Sequence, residues 1–61
     1  GVKMRDALFK VRFIGENGWN FTKGEIYTVV DVDEDGDYIL IDNFCDEVLH
    51  YKNQFEIVKE G

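Results

Sequence analysis

The sequence contains no proline, a single cysteine and no long apolar run, and each absence excludes something. Without proline, glycine and the Asn and Asp residues must form the turns. The lone thiol, Cys45, excludes an internal disulfide and removes the thiol clusters that zinc sites normally need, so a reducing compartment, the cytoplasm, is expected. No segment approaches the roughly 20 apolar residues of a membrane helix or resembles a secretion signal. We therefore expect no membrane partner.

Positive charge is missing from the middle of the chain. Seven basic residues stand against thirteen acidic ones, which gives a formal net charge of −6. No Lys or Arg lies between Gly24 and Tyr51. The acidic residues in that window are Glu25, Asp31, Asp33, Glu34, Asp35, Asp37, Asp42, Asp46 and Glu47. In a compact fold this distribution predicts an acidic side, which would repel a nucleic-acid duplex that approached broadly.

What the chain does contain is enough apolar material for one small core. It has 61 residues, of which 44% are hydrophobic and 15% aromatic. This length is near the lower limit for folding without disulfides or a structural metal, so nearly every apolar residue is needed in the core. The composition favours a folded domain over a disordered tail.

Short segments in which apolar and polar residues alternate predict β-strands. In LFKVRFI, residues 8–14, the alternation gives one apolar face and one basic face. Five such strands are predicted, at residues 8–14, 25–32, 38–42, 48–51 and 55–58, with a short turn or single helical turn at 52–54. Turns every 8–12 residues favour a small barrel or sandwich. We expect a flexible N-terminal arm at residues 1–7 and one domain at residues 8–59.

The segment DEDGD, residues 33–37, predicts a hairpin turn because its Asp-Gly pair can take positive φ angles. If Asp35 and Gly36 form the turn, Val32 faces Ile39. A slip by one residue instead points Tyr38 and Leu40 inward. Both registers fit the sequence.

Four motifs together resemble the small SH3-like barrel proteins encoded by bacteriophages and prophages of Gram-positive bacteria. They are KVRFIG, FTKGEIYTVVDV, DGDYILID and the terminal FEIV, and they span Phe9 to Val58. The resemblance implies a five-stranded, strongly curved antiparallel barrel of a class that binds peptides, proteins or nucleic acid. It implies a bacterial host cytoplasm, and it supplies no catalytic motif. The chain lacks the ALYDY strand start of eukaryotic SH3 domains, so their proline-peptide groove is not carried over.

The run DVDEDGDYILID, residues 31–42, has the order of oxygen ligands of a calcium loop. Such loops lie between helices, whereas the flanks here are the predicted strand segment IYTVV and the predicted turn NFCDE. An extended strand at residues 38–42 also places Asp42 about 16 Å from the turn. We therefore predict a hairpin and no metal site, although weak surface binding of a cation at Asp33, Asp35 and Asp37 stays open.

Trp19 lies in the glycine-containing loop GENGWN, where it either packs over the barrel end or stays accessible as a binding anchor. Tyr27 alternates with Val29 and is expected in or near the core. An aromatic patch beside carboxylates suits a basic or apolar partner. The predicted partner-binding residues are Trp19, Phe21, Tyr38, Phe44, Asp33, Asp35 and Asp37.

No arrangement of residues points to catalysis. Cys45 and His50 straddle a turn and a strand without a third orienting group, so neither an enzyme nor a cofactor is predicted. The leading hypothesis is a non-enzymatic module that docks onto a basic host or phage protein. The alternative is a small nucleic-acid-binding barrel that uses Lys10, Arg12 and Trp19. The oligomeric state is left open.

Overall fold

The computed structural model of the chain describes residues 6–59 and contains five β-strands. They are β1 (Phe9–Phe13), β2 (Ile26–Val32), β3 (Tyr38–Ile41), β4 (Glu47–His50) and β5 (Phe55–Ile57), with a 3₁₀ turn, η1 (Lys52–Gln54), before β5. All five strands lie where the sequence predicts them, with ends that differ by at most one residue. Within the described residues no helix is long and apolar enough to cross a membrane. Residues 1–5 of the predicted arm lie outside the described range.

The strands form one antiparallel sheet in the order β4-β3-β2-β1-β5. The sheet curls until its two end strands approach each other through side chains. The ring of Phe55 on β5 lies 5.7 Å from that of His50 on β4 and 6.0 Å from that of Tyr38 on β3, measured between ring centroids. The predicted all-β, five-stranded antiparallel fold is therefore confirmed.

The concave face of the sheet carries the core. Val11, Val29 and Leu40 are completely buried, one on each of the three central strands. The remaining members of the core cluster are Phe13, Phe21, Tyr27 and Phe55, with Phe9, Tyr38 and Val48 packed against it. Most of these residues are aromatic, because a short chain buries the largest apolar area per residue with aromatic rings.

The turn at residues 33–37 selects one of the two strand registers that the sequence allows. The backbone N–H of Asp33 donates to the carbonyl of Asp37 at 2.9 Å, and the N–H of Gly36 donates to the carbonyl of Asp33 at 3.0 Å. Gly36 has a φ of 86°, so the loop has three residues rather than two. This loop places Val32 opposite Tyr38.

A β-bulge then shifts the pairing of β2 by one residue. Val29 lies opposite Leu40, whereas Asp31 lies opposite Ile39, so Val30 is the extra residue. Leu40 therefore faces the core, and Ile39 faces outward. The bulge also explains why two consecutive residues, Val29 and Val30, are both buried in a strand whose burial otherwise alternates.

The same turn occurs a second time between β3 and β4. The N–H of Asp42 donates to the carbonyl of Asp46 at 2.9 Å, and the N–H of Cys45 donates to the carbonyl of Asp42 at 3.0 Å. Cys45 occupies the position of Gly36 in the first turn and has a φ of 63°. A residue with a Cβ pays about 1–2 kcal/mol in this left-handed conformation.

Replacing Cys45 with glycine is therefore expected to stabilise the protein. The strain energy that is relieved exceeds the entropic cost of ordering the more flexible glycine on folding. The free energy of unfolding should therefore rise by about 0.5–1 kcal/mol. Cys45 is exposed, so little packing is lost. Thermal unfolding followed by circular dichroism should show a melting temperature higher by about 4 °C. The matched variant Gly36→Ala should lower it, and a decrease for both variants would contradict the strain at Cys45.

Candidate functional site

The loop between β1 and β2, residues 14–25, presents the most exposed aromatic side chain of the described chain. Trp19 is 87% exposed, so of the two alternatives for this residue the accessible one is found. The loop is nevertheless tied together by its own hydrogen bonds. The N–H of Gly18 donates to the carbonyl of Phe21 at 3.0 Å, and the N–H of Lys23 donates to the side-chain oxygen of Asn17 at 2.6 Å. We call this segment the Trp19 loop.

Phe21, which the sequence placed on the partner-binding surface, is instead an anchor of the core. It is only 4% exposed, and its ring packs edge-to-face on Tyr27 with centroids 4.9 Å apart. Tyr27 is buried as expected. Its hydroxyl accepts the N–H of Thr22 and donates to Asn43, each at 2.7 Å. Phe21 offers too little surface to contact a partner, and its role is to fix the Trp19 loop to the core.

His50 lines two shallow pockets. A pocket of about 130 Å³ is lined by Trp19 and His50 among others, and a pocket of about 170 Å³ by His50, Leu49 and Tyr51. The His50 ring packs on Phe21 at a centroid distance of 5.0 Å, which holds it in place. Because His50 lines both, the two pockets adjoin at this residue, and we call them together the aromatic groove, with Trp19 at one end and Tyr51 at the other.

Both ends of the aromatic groove carry a carboxylate. Glu16 lines the pocket next to Trp19, and Asp37 lines the pocket next to Tyr51. Tyr51 is 68% exposed. Exposed aromatic rings flanked by negative charge suit an extended polypeptide that carries apolar and cationic side chains.

The two remaining predicted aromatic contacts lie in different surroundings. Tyr38 is half-buried and packs edge-to-face on Phe9, with centroids 5.3 Å apart, so it is mainly a core residue. Phe44 is 57% exposed in the β3–β4 turn, residues 42–46. This turn touches the Trp19 loop, because the side-chain amide of Asn43 donates to the carbonyl of Trp19 at 3.3 Å.

The carboxylates of the first turn are largely used by the backbone. Asp33 accepts the N–H groups of Asp35 and Asp37 at 3.0 and 2.8 Å, and Asp37 accepts the N–H of Lys52 at 3.1 Å. Asp35 is exposed. Asp42 lies in the next turn, at the other end of β3, so residues 31–42 do not form one loop. Across residues 6–59 no group of three or more potential ligands could hold a metal ion.

Comparison of the chain with protein-family models, with curated proteins and with solved structures found no match.

Asp42 is a buried charged residue, only 5% exposed, whose role was not predicted from the sequence. One carboxylate oxygen accepts the N–H groups of Phe44 and Asp46, each at 2.9 Å, and the other accepts the side-chain amide of Asn20 at 2.6 Å. Burial raises the pKa of Asp42, but the hydrogen bonds from Asn20 and from backbone N–H groups lower it more, so the pKa lies below its ordinary value. The recurring Asp-x-x-x-Asp spacing at 33–37 and 42–46 was the available signal for the turn.

The two basic residues of the nucleic-acid alternative lie on an inner strand of the sheet. Lys10 and Arg12 are on β1, and Lys10 is exposed. The Arg12 guanidinium donates to the carbonyl of Gly24 at 2.9 Å and lies 3.5 Å from the carboxylate of Glu56. Arg12 is thus already paired within the domain.

Proposed function

We propose that this domain is a non-enzymatic interaction module that binds an extended, cation-bearing segment of a partner protein in the aromatic groove. The observation that carries the proposal is Trp19, which is 87% exposed on a loop ordered by hydrogen bonds. An exposed tryptophan contributes much of the energy of a protein interface when a partner covers it. Because its loop is already ordered, less conformational entropy is lost on binding.

The charge of the domain selects the partner. A net charge of −6 attracts a basic protein over a distance of about 8–10 Å at moderate salt and raises the association rate. Glu16 and Asp37 then lie at the two ends of the groove, where Lys or Arg side chains of the bound segment can pair with them. The exposed acidic residues of the two turns, such as Asp35 and Asp46, contribute to the field around the groove.

The resemblance to small SH3-like barrel proteins of phages and prophages is our reason for proposing a bacterial context. The partner would then be a host or phage protein in the cytoplasm of the bacterial cell. The groove runs along the Trp19 loop and the end of β4, so the bound segment would contact both.

Nucleic-acid binding through Lys10, Arg12 and Trp19 is less well supported. A phosphate would have to compete with Glu56 and with the carbonyl of Gly24 for the Arg12 guanidinium. Nucleic-acid affinity grows with the number of phosphates that are neutralised, and the net charge of the domain opposes this.

A displayed library of random peptides tests the proposal directly. We expect selection to enrich peptides with both apolar and Lys or Arg residues, and their affinity to fall as salt is raised. Amide chemical shifts of the labelled domain should move at Trp19, His50 and Tyr51 on binding. In parallel, oligonucleotides are titrated against the domain. Salt-sensitive binding of oligonucleotides, together with no enriched peptide, would overturn the proposal in favour of the nucleic-acid alternative.

A further inference from the structure

The carboxylate of Asp42 links two segments that are far apart in the chain. Asn20, which donates to it at 2.6 Å, lies 22 residues earlier and directly follows Trp19. The backbone N–H of Asn43 also donates to the carbonyl of Asn20, at 2.8 Å. We propose that Asp42 is a positioning residue that clamps the Trp19 loop to the β3–β4 turn and so holds Trp19 in place for binding.

Comparison with the first turn, residues 33–37, shows which carboxylate oxygen of Asp42 is needed to form the β3–β4 turn. In that turn a single oxygen of Asp33 accepts both backbone N–H groups. Asp42 likewise uses one oxygen, Oδ1, for the N–H groups of Phe44 and Asp46. Its second oxygen, Oδ2, is not needed to form the turn, and it is this oxygen that accepts the amide of Asn20. The clamp is therefore an addition to the turn motif.

The consequence of the clamp is that Trp19 is fixed before a partner arrives. The Trp19 loop contains no strand, and its side facing the β3–β4 turn is held by Asn20 and by the amide of Asn43. An anchor that is already ordered loses less conformational entropy on binding. This role rests on the proposed function, but the clamp can be measured without any partner.

The fluorescence anisotropy decay of Trp19, the only tryptophan, reports how far the loop moves. Asn20→Ala removes the clamp donor and leaves the carboxylate available to its own turn. We expect a larger fast component of the decay and about tenfold weaker binding of a selected peptide. The control Asp33→Ala disrupts the equivalent turn and should lower the melting temperature without changing the anisotropy decay of Trp19. Circular dichroism checks that each variant is folded.

An exchange of the two side chains makes the test independent of general destabilisation. Asn20→Asp alone sets two carboxylates against each other and should release the loop. The double variant with Asp42→Asn restores one donor and one acceptor and should recover most of the wild-type anisotropy. Equal decays for Asn20→Ala and the wild type, or no recovery in the double variant, would overturn the clamp. If no peptide is selected at all, the proposed function fails, and the anisotropy still decides the clamp.

Acid provides a further readout of the same contact. Hydrogen bonding lowers the pKa of Asp42 in the folded state. The contribution of the ionised carboxylate to stability is therefore complete above its unfolded pKa of about 4, and it is lost as the pH falls through the lower pKa of the folded state. The loop should therefore stay ordered at pH 5–7 and be released only when the pH falls through the lowered pKa of Asp42. The other titratable side chains on the two segments are exposed: Glu16, Lys23 and Glu25 on the loop, and Cys45 and Asp46 on the turn. In Asn20→Ala this acid step of the anisotropy should be absent, and an unchanged step would contradict the clamp.

Discussion

Replacing Trp19 with alanine should weaken the binding of a selected peptide by roughly 30-fold or more, because truncation of a central interface tryptophan costs about 2 kcal/mol or more. The same change should leave folding almost untouched, since the side chain is 87% exposed and a surface substitution typically changes stability by about 0.5 kcal/mol or less. Isothermal titration calorimetry gives the affinity, and urea unfolding gives the stability.

Ile57→Ala is the matched control for Trp19→Ala. Ile57 is an exposed apolar residue on β5, away from the residues that line the groove, and it should not affect binding. A large loss of affinity for Ile57→Ala with none for Trp19→Ala would place the binding surface on another part of the sheet and refute the aromatic groove.

Replacing Leu40 with alanine should cost about 2–5 kcal/mol of unfolding free energy, since the side chain is completely buried and the change leaves a cavity. A domain of this size has a total stability of roughly 3–9 kcal/mol. The variant is therefore expected to lose a large part of its stability. Urea unfolding should show a much lower midpoint with an unchanged slope.

Leu49→Ala is the matched control, because Leu49 is the same residue type on the neighbouring strand but is 58% exposed. It should change stability by less than about 1 kcal/mol. The comparison also tests the register of the hairpin. If Ile39→Ala destabilised the protein more than Leu40→Ala, Ile39 rather than Leu40 would face the core. The assignment of the β-bulge in β2 would then be wrong.

The strands and their order along the chain could be predicted because alternation of apolar and polar residues is a local property. The pairing of β3 could not, because it depends on whether the turn has two or three residues. The register is determined by Gly36, which adopts a φ of 86°, and by the bulge after Val29. Neither feature changes the composition of the strands, so both registers fitted the same pattern.

The candidate site was predicted only in part. Trp19 and Phe44 are exposed as a binding surface requires, whereas Phe21 is buried in the core. All three lie in or beside turns, and sequence alone does not show which aromatic ring a curled sheet covers. The part played by His50 was also missed, because its two pockets exist only once β4 lies beside the Trp19 loop.

By itself the sequence determined an all-β chain of five short strands with acidic turns, because strand periodicity and turn chemistry involve residues that are close in the chain. Only the tertiary structure decided the strand register, the burial of Phe21 and the link between Asn20 and Asp42. That link joins residues 22 positions apart, and it forms only when the sheet brings a loop and a turn together and shields the carboxylate from water.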